Sequence, residues 1–150
     1  MQVGDIMTRD VKTAGTDATF TEAARILHDN RISSVIITEG DRVAGIVTER
    51  DLVNLVAEGV DPSSTSVGER MTRELATVEP RTDIADAAQL MAQRRIRHLP
   101  VMDKGSLSGV ISIRDLTNWA VQEMTGGHEL PDLERSTAAF AAHVEIKKSD

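Results

Sequence analysis

Two short stretches of this chain carry the residue types from which a polar site can be built. Residues 45–51 read GIVTERD and residues 109–115 read GVISIRD, so Thr48 and Asp51 share their three-residue spacing with Ser112 and Asp115. A hydroxyl followed three residues later by a carboxylate fits a helix start: the hydroxyl satisfies one orphan amide and the carboxylate reaches back to another. The same geometry turns free amides and the positive helix end toward whatever precedes the helix. A carboxylate there can accept two hydrogen bonds from a ribose diol, and the hydroxyl can donate to a phosphate. Gly45 and Gly109 remove a side chain where a ligand, or a packed strand, comes close. Taken alone, the helix start is the more economical reading, and the two are compatible.

The elements that must hold these residues emerge from an internal repeat. A shift of 64 residues lays 3–58 on 67–122 without a gap, and 15 of the 56 aligned positions are identical, where chance gives about three or four. VGDIMTRD meets VGERMTRE, and GIVTERDLVN meets GVISIRDLTN. Each copy opens with a segment ending in β-compatible residues (IMTRDVKTA; RMTRELATV). Helix starts follow at Thr19-x-x-Glu22 and Asp83-x-x-Asp86. Phe20, Ala23, Ala24 and Leu27 then recur at helical spacing, as do Ile84, Ala87, Ala88 and Met91. Two strands come next, SSVIIT and VAGIVT around Glu39-Gly40-Asp41, or HLPVMD and LSGVIS around Lys104-Gly105. A second helix closes each copy, stopped by Gly59 in one and by Gly126-Gly127 in the other.

The expected fold is therefore α+β: two pseudo-symmetric strand–helix–strand–strand–helix repeats packed as one module. Repeat 1 spans 3–58, a linker 59–66, repeat 2 spans 67–122, and 123–150 form an extension in which Pro131 suits the first turn of a short helix. A repeat of this size is marginal alone, which favours burial of one copy's sheet against the other's.

Composition bounds the chemistry. The chain of 150 residues is 40% hydrophobic with two Phe, one Trp and no Tyr, so the core is aliphatic. Met7 and Met71 read as core fillers. The absence of Cys excludes disulfides and thiolate chemistry. MQVGDIMTRD lacks the features of a signal peptide, and no apolar run is long enough for a membrane span, so a cytoplasmic location is expected. A net charge of −7 disfavours nucleic acid as a partner. Arg94, Arg95, Arg97 and His98 are a local exception. Arg94 and Arg95 fall at a helix end, where cations suit the dipole, while Arg97 and His98 lie beyond it. His28, His128 and His143 have no metal-ligand spacing, so no metal site is expected. No Walker loop, G-x-S-x-G or HExxH is present, and Asp51 and Asp115 occupy equivalent positions, as two copies of one binding role would. No catalysis is expected.

The doubled repeat, with its MT opening and G-h-x-[ST]-x-x-D ending, resembles the CBS domain, named after cystathionine β-synthase, over residues 3–125. CBS domains occur as tandem pairs, or Bateman modules. The resemblance implies a stand-alone regulatory sensor that binds adenosyl ligands between the repeats: AMP, ADP or ATP, with S-adenosylmethionine or NAD as further candidates. It implies no required cofactor, a homodimer forming a four-repeat disk, and an unknown regulated protein. Carried over by position, a main cleft takes Ile46, Thr48, Arg50 and Asp51 with Thr72, Glu74 and Leu75, closed by Ile96, Arg97, His98 and Pro100. A weaker cleft takes Val110, Ser112, Arg114 and Asp115 with Thr8, Asp10 and Val11, closed by Ile32, Ser33 and Ser34. Arg50 and Arg114 read equally as solvated helix residues. The ranking rests on RHLPV against SSVII: a charged hydrogen bond to phosphate contributes ~1.5–3 kcal/mol, a serine's neutral bond about 1 kcal/mol or less. The alternative is a ligand-independent dimeric scaffold with vestigial clefts.

Overall fold

The computed structural model describes residues 1–126. The chain divides into two compact units, Met1–Leu116 and Thr117–Asp150, and the candidate site residues all fall in the first. The extension beyond residue 126, with His128, Pro131 and His143, lies outside the described residues.

The first repeat begins with one helical turn, α1 (Val3–Ile6), followed by β1 (Thr13–Gly15), α2 (Phe20–Asn30), β2 (Ser34–Glu39), β3 (Arg42–Thr48) and α3 (Glu49–Ala57). The second runs α4 (Val67–Arg70), α5 (Ile84–Arg94), β4 (His98–Asp103), β5 (Ser106–Ser112) and α6 (Ile113–Met124). Thr19 caps α2 as its spacing predicts: Thr19 N donates to Glu22 Oε2 at 2.9 Å and Glu22 N to Thr19 Oγ1 at 3.2 Å. Asp83 caps α5 by accepting from Ala85 N at 2.8 Å. Both helices stop at an arginine in the left-handed region, Arg31 (φ 52°) and Arg95 (φ 54°).

β2 and β3 form an antiparallel hairpin with β1 added in parallel to β2, whereas β4 and β5 form a two-stranded sheet. The first strand expected in repeat 2 is reduced to a single parallel bridge, Val78 to Val101. Its cause is local: Pro80 follows two residues later and offers no N–H to extend the ladder.

Opening segments cross from one repeat to the other. Gly4 N donates to Pro80 O and Val3 N to Thr82 O, both at 2.8 Å; reciprocally, Val67 N donates to Ala18 O at 2.7 Å and Gly68 N to Thr16 O at 3.0 Å. The core of the first half therefore combines Phe20, Ala23, Leu27, Val35, Ile37, Val47 and Leu55 with Val67 and Met71 of the second repeat. Full burial of each large side chain contributes about 1.5–3 kcal/mol, so the first half does not complete its core from its own repeat. The linker is ordered by this crossing. Asp61 accepts from Ser63 N at 2.9 Å and Ser63 Oγ at 2.8 Å, while Thr65 O and Pro62 O accept from Phe20 N and Thr21 N. Among the described residues no helix is long and apolar enough to cross a membrane.

Candidate functional site

Both hydroxyl–carboxylate motifs sit where a strand of the hairpin runs into a helix. Asp51 Oδ2 accepts from Thr48 N at 2.7 Å and from Thr48 Oγ1 at 3.3 Å. Asp115 Oδ2 accepts from Ser112 N at 2.7 Å and from Ser112 Oγ at 2.8 Å, and Asp115 N donates back to Ser112 Oγ at 3.3 Å. Helix capping is therefore real at both places, and it is tighter at Asp115. The longer Thr48–Asp51 hydroxyl contact leaves that carboxylate less committed to its own helix.

The backbone brings each motif to the other repeat's opening segment. Ile46 and Thr72 exchange both backbone hydrogen bonds at 3.0 Å, and Thr8 and Val110 exchange theirs at 2.9 Å. Gly45 and Gly109 make these crossings possible. A Cβ on Gly45 would lie 2.6 Å from Met71 Sδ and 2.7 Å from Thr72 O; on Gly109 it would lie 2.7 Å from Met7 Sδ and 2.8 Å from Thr8 O. Of the two sequence-based explanations for these glycines, a packed segment accounts for both. Met7 and Met71 are buried, as core fillers should be.

Around the Asp51 motif, Ile46 is buried, Thr48 and Asp51 half-buried, and Arg50 exposed. Thr72 and Glu74 of the crossing segment are exposed and Leu75 half-buried. Of the residues expected to close this cleft, Ile96 and His98 are half-buried, Arg97 is exposed, and Pro100 is buried within β4 with its carbonyl accepting from Val78 N at 3.1 Å. Around the Asp115 motif, Val110, Ser112 and Asp115 are half-buried and Arg114 exposed. Thr8 and Asp10 are exposed, and Val11, Ile32, Ser33 and Ser34 half-buried.

One residue here was not singled out by its sequence. Lys12 pairs with Asp10 at 3.0 Å, placing a cation in the segment that crosses toward Asp115, where the second copy has Ala76. The signal available in the sequence was the Lys12/Ala76 difference between the aligned copies.

The closing residues of the two clefts also meet. Ser33 Oγ and His98 Nε2 are 2.6 Å apart, joining a residue assigned to the weaker cleft with one assigned to the main cleft. Burial pushes the imidazole pKa of His98 down and Arg97 adds to that, while Asp115 and Glu49 pull it up; the net direction is down. Among the described residues no group of three or more His, Cys, Asp or Glu side chains is arranged to hold a metal ion.

The CBS domain profile matches residues 3–58 and 67–122. The chain belongs to the CBS-domain family. The CBS domain-containing protein YhcV of Bacillus subtilis is 36% identical over 82% of this chain and 86% of its own length. A CBS domain protein from Pyrobaculum aerophilum, solved as a complex with AMP, is 30% identical, covers 77% of this chain and 90% of its own, and superposes with a TM-score of 0.72. The CBS domain pair of protein MJ0100, in complex with 5′-methylthioadenosine and S-adenosyl-L-methionine, is 25% identical over 82% of this chain and 98% of its own, with a TM-score of 0.76. The α+β architecture of two CBS repeats is thus common to this chain and its structural neighbours, and CBS pairs of this fold accept adenosyl ligands.

Proposed function

We propose that this CBS pair is a non-catalytic sensor of adenine nucleotides or related adenosyl compounds, acting in the cytoplasm on a separate regulated protein. The observation that carries the reading is the crossing of the opening segments. Through it, Ile46, two residues before Thr48, is bridged to Thr72, and Val110, two residues before Ser112, to Thr8, which supports clefts that also draw on Glu74 and Leu75 in one case and on Asp10 and Val11 in the other. A ligand lodged at such a crossing touches both repeats and shifts their packing by its differential affinity for the two arrangements. Adenosyl ligands held by related CBS pairs support the ligand class. Asp51 and Asp115 would take the ribose hydroxyls, and Arg97 and His98 would favour a phosphorylated ligand in the Asp51 cleft. No cofactor is needed for this role.

The proposed sensor is a homodimer, assembling as a disk of four repeats. Its support on this chain is α3, where Val53 is 65% and Val56 70% exposed, one helical turn apart on a surface that water does not favour.

A thermal-shift panel of AMP, ADP, ATP, S-adenosylmethionine and NAD tests the sensor directly. A ligand at 100 times its dissociation constant adds about 2.7 kcal/mol to stability. A panel in which no adenosyl compound raises the melting temperature leaves the dimeric scaffold with vestigial clefts as the better description.

A further inference from the structure

The Ser33–His98 hydrogen bond breaks the symmetry of the pair. Under the repeat, Ser33 corresponds to Arg97 and Ser34 to His98. Ser34 and Arg97 form no equivalent side-chain bond among the described residues. Each partner is tied to the start of a motif helix. Ser33 O accepts from Glu49 N at 3.2 Å, and Arg97 O, adjacent to His98, accepts from Ile113 N at 2.9 Å. His98 itself pairs with Ser112 across β4 and β5. The contact therefore spans the two helix starts on which the clefts are built.

Imidazole chemistry gives this contact a direction. With its single proton on Nδ1, the tautomer this coupling requires, the neutral ring accepts at Nε2 and Ser33 spends its only O–H on His98. A ring carrying both protons donates at Nε2, so Ser33 accepts and its O–H is released. A ligand phosphate favours the doubly protonated ring through its charge. Whether the contact then reverses or parts, the result for Ser33 is the same: its hydroxyl hydrogen becomes free.

We propose that Ser33 and His98 couple the two clefts, so that a phosphorylated nucleotide in the Asp51 cleft frees the Ser33 hydroxyl for a second nucleotide in the Asp115 cleft. The coupling is positive and, being thermodynamic, reciprocal. It rests on the nucleotide reading above. At the lower end of ordinary coupling it amounts to about fivefold in affinity.

AMP is the probe, titrated calorimetrically into the full chain and into Asp51→Ala, Ser33→Ala and the double variant. Removing the Asp51 cleft should weaken AMP binding at the Asp115 cleft about fivefold, although Asp51 does not line it. In the Ser33→Ala background the same change should leave the remaining site unaltered. A ligand-free readout accompanies this: the ¹⁵N resonance of His98 Nε2 should move between native and Ser33→Ala protein. Equal affinity of the Asp115 site with and without Asp51 overturns the coupling and leaves the nucleotide reading standing. AMP heats absent from the native chain overturn both. An Nε2 resonance unmoved by Ser33→Ala overturns the coupling whatever the titrations give, because the bond is then not formed in solution.

Discussion

Replacing Gly45 by alanine perturbs the crossing without touching a polar side chain. The new Cβ would stand 2.6 Å from Met71 Sδ and 2.7 Å from Thr72 O, whereas carbon packs at about 3.5–4.0 Å. The methionine can swing aside, since a thioether is flexible. Thr72 O cannot retreat so cheaply, because it accepts from Ile46 N at 3.0 Å while Thr72 N donates to Ile46 O at 3.0 Å. Overpacking of a closed site costs about 1–3 kcal/mol, and each weakened hydrogen bond adds up to about 1 kcal/mol. The expected loss is about 2–4 kcal/mol, read as a lower urea midpoint at unchanged slope. Gly15→Ala is the control: nothing lies within 4 Å of its added Cβ, so its effect should stay within about 0.5 kcal/mol. Gly109→Ala, facing Met7 and Thr8, should match Gly45→Ala. Equal midpoints for Gly45→Ala and Gly15→Ala would refute the claim that these glycines exist for the crossing.

Three further perturbations follow from the same geometry. Asp51→Ala should lower AMP affinity about tenfold or more and remove the stronger site, while Asp115→Ala removes the weaker one; calorimetry giving the reverse order defeats the ranking of the clefts. Stability should decline as pH falls below about 6.5, because the depressed folded-state pKa of His98 means the unfolded chain binds its proton more readily. His98→Gln should remove part of that decline, and a urea midpoint with the same pH slope in both proteins contradicts the account. Val56→Glu places a charge on the exposed stripe of α3, so light scattering should fall from a two-chain to a one-chain mass; a native chain already monomeric at micromolar concentration disposes of the dimer.

Much of this architecture was written in local patterns. Thr19-x-x-Glu22 and Thr48-x-x-Asp51 marked helix starts because capping is a contact between near neighbours, which a sequence displays directly. Phe20, Ala23 and Leu27 fell on one helical face for the same reason. The opening turns α1 and α4 were missed, being too short at four residues each to show periodicity. Ser66-x-x-Glu69 carried a capping signature all the same, and Ser66 N donates to Glu69 Oε2 at 2.9 Å. The strand expected near Val78 is cut to one bridge because Pro80 has no N–H to donate to the next rung. At the candidate site, the family resemblance put Asp51 opposite Thr72, and the Ile46–Thr72 bridge brings those segments together. The Ser33–His98 contact was beyond reach. It joins residues 65 positions apart and violates the very symmetry from which both clefts were inferred.

The exchanged opening segments also order events in time. Thr8 finds its partner only at Val110, about a hundred residues later in synthesis. Until then Met7 has no glycine to pack against and the nascent first repeat carries an unmatched arm. The first half must likewise wait for Val67 and Met71 before its core closes. Sequence-distant pairings of this kind raise contact order and slow folding. A ribosome-bound chain ending at the linker would thus present an incomplete core to the cell, and the repeat that looks most like an independent unit on paper is one that cannot finish folding by itself.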